Sequence, residues 1–255
     1  MFYNGRMKKN SAFWLKLTAM ITMIFDHTAI RYFNNVRWMR FFGRCSMPLY
    51  AFLIAESVHH TEEKGTVVPH AIRLFLLALI SEIPYDLYFS NILWNPDRNS
   101  VMGTLLIGYL ACILIHKTDH PLLKLLITGI ACWIPEHFHF SYRFAGVLLI
   151  IAFEQWITFR RKHPERSSFW MPALILLVFA GYYVCHGVKP FNAASVWHTF
   201  RTYQWSQLGV FLSLPPLLLY NGRQGCTYPA WISFYRLFYP LHLSVLLMLE
   251  KLFQA

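Results

Sequence analysis

The sequence predicts an all-α fold, a polytopic integral-membrane helix bundle of about nine transmembrane helices. Three observations predict it. Hydrophobic residues fill 56% of the 255 positions and charged residues only 14%, where a soluble domain is about a quarter charged. The mean hydropathy is +0.37. Apolar runs recur from one end of the chain to the other, leaving no stretch long enough for an extramembrane domain, so 1–255 is read as a single transmembrane domain.

Taken in order, the predicted spans are 13–33, 38–58, 67–89, 101–116, 122–138, 144–159, 169–186, 205–220 and 231–253. The first follows Arg6, Lys8 and Lys9 and superficially resembles a signal peptide. No small-residue cleavage site follows it, so it is kept as the first membrane helix. Several spans offer only about 13 to 17 clean apolar residues against the roughly 20 of an ideal crossing, which widens the count to eight to ten. Pro48, Pro69, Pro84, Pro172, Pro215, Pro216 and Pro240 lie inside or near the ends of these runs. Proline frees backbone carbonyls that lipid cannot satisfy, so broken helices around a wet cavity are expected.

The net charge of +11 comes from basic residues scattered through short loops. No long basic run or RNA-binding motif accompanies them, and a nucleic-acid partner is not expected. With nine spans, 14 of the 23 Lys and Arg fall on the side of the N-terminus. That bias predicts a cytoplasmic N-terminus. Arg31, Arg37, Arg40 and Arg44 crowd the first loop on the opposite side, an excess that calls for an anionic ligand or carboxylates within the bundle. The five cysteines are widely spaced and mostly inside apolar runs, neither a disulfide framework nor a zinc pattern. "PEHFHF" and the His59–His60 pair lack further ligands at recognisable spacing, so no metal is expected. Neither a phosphate loop, a nucleophile elbow nor a zincin motif is present.

An ionisable residue in a membrane span is a functional candidate because isolating it in lipid costs several kcal/mol. Asp26, His27, Arg44, Glu56, Arg73, Glu82, Asp86, Arg236 and His242 all lie in or at the ends of predicted spans. In "LKLTAMITMIFDH", Lys16 and His27 are eleven positions apart. Eleven steps of about 100° return to the same helix face about 16 Å further along. A cation at the mouth could hold phosphate while an imidazole waits three turns deeper. Asp26 points elsewhere, one step away, and is expected to pair with a cation on another helix, Arg44 first. In "RLFLLALISEIPYDLYF", Glu82 and Asp86 stand four apart on one face, with Pro84 between them to open the backbone. Two neighbouring carboxylates can trap a proton, a cation or an amine. In "FYRLFYPLHLSVLL", His242 sits behind Pro240 with Tyr235 and Tyr239 nearby.

These residues carry a resemblance. "LTAMITMIFDH", "FGRCSMPLYAFLIAESVHHT", "RLFLLALISEIPYDL", "LPPLLLYNGRQG" and "FYRLFYPLHL" follow one another in the order of the TraX family, integral-membrane proteins named for the acetylase of conjugative F-pilin. The middle departs from the family pattern: "FSYRFAGVLL" has Ser141 where relatives usually carry Asp before Tyr. The spacing of Lys16 and His27 also resembles the first-helix motif of the wider integral-membrane acyltransferases that acetylate surface sugars.

The resemblance implies acetyl transfer in a bacterial cytoplasmic (inner) membrane. Acetyl-CoA would be the cosubstrate on the cytoplasmic side. An envelope amine or hydroxyl, such as a pilin N-terminus, an amino sugar or a lipid headgroup, would be the acceptor. His27 would act as general base or transient acetyl carrier with Asp26 beside it. Lys16, Arg44 and Arg73 would serve the donor, and Glu82, Asp86, Glu56, Tyr239 and His242 the acceptor. The rival from another class is a small proton-coupled transporter or exporter using Glu82, Asp86 and His242 as its relay.

Overall fold

A computed structural model describes residues 11–33, 36–163, 170–186, 188, 193–200 and 204–254. Arg6, Lys8, Lys9 and Arg166, which enter the loop-charge reading, lie outside the described residues. The regular elements among the described residues are all helical: α1 (Ala12–Arg31), α2 (Arg37–Gly43), α3 (Ser46–Glu63), α4 (Val67–Ser90), α5 (Val101–His116), α6 (Pro121–His137), α7 (Arg143–Lys162), α8 (Trp170–Cys185), α9 (Ala193–Thr199), a 3-10 helix η1 (Trp205–Ser213), α10 (Leu214–Leu219) and α11 (Pro229–Gln254). The all-α class is therefore correct.

Two of the expected spans are not single helices. The run 38–58 divides at Arg44–Cys45 into α2 and α3. Pro48 explains the restart, because in the first turn of α3 its missing N–H would have had no intrahelical partner. The run 205–220 enters as η1 and continues as α10, with proline in the opening turn of α10. By contrast α4 runs unbroken through Pro84 and α11 through Pro240, so the backbone opening expected at Pro84 is not a break in the helix.

Among the described residues two helices are long and apolar enough to cross a membrane, α4 and residues 229–252 of α11; α5, α8 and 205–219 are apolar but shorter. Length and composition thus mark two of the expected crossings among the described residues. Both helices turn apolar side chains outward. On α4, Ile72, Phe75, Leu76, Leu79, Ile80 and Ile83 are exposed while Leu74, Ala78, Ser81, Glu82, Tyr85 and Asp86 are buried. A continuous exposed apolar stripe of this kind suits contact with lipid better than with water, in keeping with a membrane protein.

The chain forms two compact units, Met1–Leu53 with Thr158–Cys226, and Ile54–Ile157 with Thr227–Ala255. In the first, α1 buries a stripe of Leu15, Ala19, Met23 and Asp26 at helical spacing. Against it lies α2, which is also packed against η1. Glycines make both approaches feasible: a Cβ on Gly43 would overlap Asp26 of α1, and one on Gly209 would strike the carbonyl of Phe41. The start of α1 is tied down by Ala12 N–H donating to Arg223 O at 2.8 Å, and Phe52 meets Tyr220 edge-on with ring centroids 5.4 Å apart.

In the second unit α4 packs on α5 and α11, and α5 packs on α6. Ala111, Ala131 and Val147 form a small-residue core flanked by Ile107, Ile127 and Ile151. A buried hydrogen bond of 2.7 Å joins the hydroxyls of Thr61 and Tyr109. At the end of α4, Asn91 takes a left-handed conformation (φ 56°) that turns the chain out of the helix.

Candidate functional site

The α1 helix contains no proline and runs unbroken from Ala12 to Arg31. Lys16 and His27 therefore keep the register expected of them, on one face and about 16 Å apart along the axis. Both are half-buried, and the positions between them on that face are the buried Met20 and Met23. Two packed methionines thus separate a cation at one end from an imidazole at the other.

Asp26 belongs to the buried stripe of α1 rather than to the His27 face. Its partner is Arg40, whose guanidinium nitrogen lies 3.2 Å from Oδ2. This pair corrects the assignment to Arg44, one turn later. The cause is the close approach at Gly43, which sets the last turn of α2 directly on Asp26 and leaves Arg40 level with the carboxylate. With side chains only 16% and 11% exposed, the pair is largely shielded from water. Removing one partner of such a pair costs far more than the pair contributes.

The predicted acceptor residues fall in the second unit. Glu82 accepts from the backbone N–H of Ser100 (3.0 Å) and from its hydroxyl (2.7 Å). Since Ser100 is the residue that opens α5, Glu82 places a carboxylate at a helix N-terminus, where the helix dipole favours it. Asp86 accepts from Asn95 N–H at 2.9 Å. Between them Tyr85 bonds Ser141 at 2.8 Å and receives Arg98 Nε at 3.2 Å, while the Arg98 guanidinium covers the Phe89 ring at 4.5 Å. Thr104 Oγ1 donates to Ser141 O at 2.6 Å. This polar layer pins the segments 91–100 and 138–142 onto α4, so Glu82 and Asp86 are engaged as anchors of backbone.

The remaining predicted residues are dispersed. Arg73 turns back on its own helix, Nε donating to Pro69 O at 3.2 Å. Glu56 is buried and lies 3.6 Å from His60 Nε2, one turn on. His242 is buried, stacks on Phe238 with centroids 4.8 Å apart, and meets Tyr239 edge-on at 5.5 Å. Its Nδ1 donates to Phe238 O at 2.9 Å, which fixes the tautomer.

One constellation escaped the sequence analysis. Glu154, fully buried on α7, receives His116 Nε2 at 2.6 Å and lies 3.3 Å from His59 Nε2. The other nitrogen of His116 lies 2.9 Å from Glu62 Oε2. Gln155 donates to the second Glu154 oxygen at 2.6 Å. The available signal was a lone carboxylate in the apolar run "GVLLIIAFEQW".

Over residues 11–250 the chain matches the family model described as "TraX protein". It is similar to a protein of Dichelobacter nodosus named "Probable fimbrial assembly protein FimC, serogroup H1", with 26% identity over 254 residues that cover 92% of this chain and 94% of that one. No solved structure matches the chain.

Proposed function

The chain belongs to the TraX family, and from that premise we propose that it is a membrane-embedded acetyltransferase, moving an acetyl group from cytoplasmic acetyl-CoA to an amine or hydroxyl of an envelope component. The observation that carries the proposal is the unbroken α1, with Lys16 and His27 on one face and Met20 and Met23 between them. A basic residue at one end suits the phosphates of coenzyme A. The methionines between them offer apolar contact for the extended arm, and about 16 Å of helix rise suits its length.

In this reading the acceptor's nitrogen or oxygen attacks the thioester carbonyl carbon while His27 takes its proton. The carbon–sulfur bond then breaks, and the imidazolium returns the proton to the departing thiolate. General-base help of this kind contributes typically about 10²–10⁴-fold. Asp26, held by Arg40, fixes α1 against α2 and so fixes the direction in which the neighbouring ring points. A serine at 141 in place of the family's usual acid keeps that position out of the chemistry, since Ser141 is bonded to Tyr85.

The membrane setting extends the two clear crossings. We read the shorter apolar helices as spans as well, giving a bundle of about nine in the cytoplasmic membrane with the N-terminus inside. The relative named as a fimbrial assembly protein makes a pilin or another surface subunit the first acceptor to test. Against the exporter alternative stand the hydrogen bonds that tie Glu82 to Ser100, Asp86 to Asn95 and His242 to Phe238, because a relay needs groups that can exchange protons with one another.

The test is acetyl-CoA turnover by protein purified in detergent, with a small amine or a pilin peptide as acceptor. Substituting His27→Ala should abolish transfer and leave the helical circular-dichroism signal unchanged. Wild-type turnover in that variant would remove His27 from the chemistry, and an absence of acetyl-CoA binding by the native protein at millimolar ligand would remove the activity itself.

A further inference from the structure

We propose that His59, His116 and Glu154 form a binding site for a single divalent transition-metal ion, zinc by choice, clamping α3, α5 and α7 together. The three potential ligand atoms all lie within 4.8 Å of one another, with 2.6 Å and 3.3 Å from Glu154 Oε1 to the nitrogens of His116 and His59. A tetrahedral zinc ion holds nitrogen and oxygen ligands at about 2.0–2.2 Å, which sets its ligands a little over 3 Å apart. Small side-chain shifts bring the three atoms to that spacing.

Charge and proton placement favour the ion. His116 aims one ring nitrogen at Glu62 Oε2 (2.9 Å) and the other at Glu154 Oε1 (2.6 Å). A neutral imidazole carries one N–H and can donate to only one of these carboxylates. Its bare nitrogen then faces oxygen lone pairs, a repulsion relieved when the ring takes a second proton or when a metal ion takes that proton's place. His59 points a second imidazole nitrogen at the same oxygen. Supplying the charge as two imidazolium rings would set like charges on rings whose centroids are 5.3 Å apart. A single imidazolium at His116 avoids that repulsion but balances only one of the two carboxylates, whereas a divalent cation on two neutral rings balances both.

The outer contacts have the form a metal site requires. A histidine ligand characteristically gives its second N–H to a carboxylate, which fixes ring orientation and raises its basicity; here that carboxylate is Glu62. Gln155 holds the other oxygen of Glu154 at 2.6 Å, directing Oε1 toward the two rings. Two histidines and one carboxylate leave a fourth position for water, a donor set that zinc accepts. Glu154 is fully buried, while the side chains of His116 and Glu62 are 20% and 32% exposed, so the cluster borders the surface on the Glu62 side.

The experiment is metal binding by the full-length protein in detergent, after chelation and desalting. Zinc is titrated by calorimetry, and cobalt is used as a spectroscopic probe of coordination. One zinc ion per chain is expected to bind, with tetrahedral cobalt bands in the visible. Glu154→Gln should abolish binding, and Glu62→Gln should weaken it by about 10–100-fold through loss of the outer carboxylate. Should Glu154→Gln fail to fold, His59→Ala serves in its place. Absence of stoichiometric zinc binding by the native chain would overturn the proposal, leaving a proton-bridged cluster. Undiminished binding in both Glu154→Gln and His59→Ala would overturn it equally, by placing the ion elsewhere.

Discussion

Replacing Gly43 by alanine sets two effects of opposite sign against each other. Helix propensity favours alanine over glycine by at most about 1 kcal/mol, and less at the last residue of a helix. Packing opposes it. A Cβ on Gly43 would lie 2.7 Å from Asp26 Cα and 2.6 Å from its Oδ1, where carbon contacts relax to about 3.5–4.0 Å. The Cα belongs to the backbone of α1 and cannot swing away, so α2 must retreat by about 1 Å. The Arg40–Asp26 separation, now 3.2 Å, then opens toward 4 Å and the buried pair loosens. Overpacking of this kind costs about 1–3 kcal/mol, which exceeds the propensity gain, and Gly43→Ala should destabilise the protein. Gly129 provides the control, since a Cβ there meets nothing within 4 Å and Gly129→Ala in the middle of α6 should stabilise by about 0.5–1 kcal/mol. Both variants are compared with wild type by denaturant unfolding in micelles, followed by tryptophan fluorescence. A Gly43→Ala protein at least as stable as wild type would refute the close packing of α2 on α1.

The ion pair and the carboxylate anchor give further expectations. Arg40→Ala should cost about 3 kcal/mol by stranding Asp26, while the double variant with Asp26→Asn recovers part of that loss; equal stability of the single and double variants would argue against the pair. Glu82→Ala should cost about 1–3 kcal/mol by leaving the Ser100 N–H and hydroxyl unsatisfied, and should speed amide hydrogen exchange at the start of α5 specifically. Unchanged exchange there would exclude Glu82 as its anchor.

Legibility in the sequence followed how local each feature is. The bounds of α4, read as 67–89 and found as Val67–Ser90, come from a long, mostly apolar run set between Gly65–Thr66 and Asn91. The division of 38–58 was hidden because apolar residues continue across the turn at Arg44–Cys45, so hydropathy saw no gap. The punctuation was present nonetheless, in Gly43 followed by Ser46 and Pro48. The choice between Arg40 and Arg44 could not be read from spacing, because residues four apart share a helix face. It was decided by how closely Gly43 approaches α1. The same limit hid the imidazole–carboxylate cluster: His59, His116 and Glu154 come from three helices dozens of residues apart, and only packing brings them together. The register of Lys16 and His27 was fully readable, because it needed nothing beyond an unbroken helix.

The two-sided character of α4 has a consequence for its setting in the bilayer. One side offers Ile72, Phe75, Leu79 and Ile83 outward; the other buries Ser81, Glu82, Tyr85 and Asp86. A roll of a third of a turn about the helix axis would carry carboxylates into hydrocarbon at a cost of several kcal/mol and strip their donors from Ser100 and Asn95. The helix consequently has one azimuth, held from both directions. Random substitution along it should be tolerated in a wave of period near 3.6, with crests on the oily side and troughs at the acids.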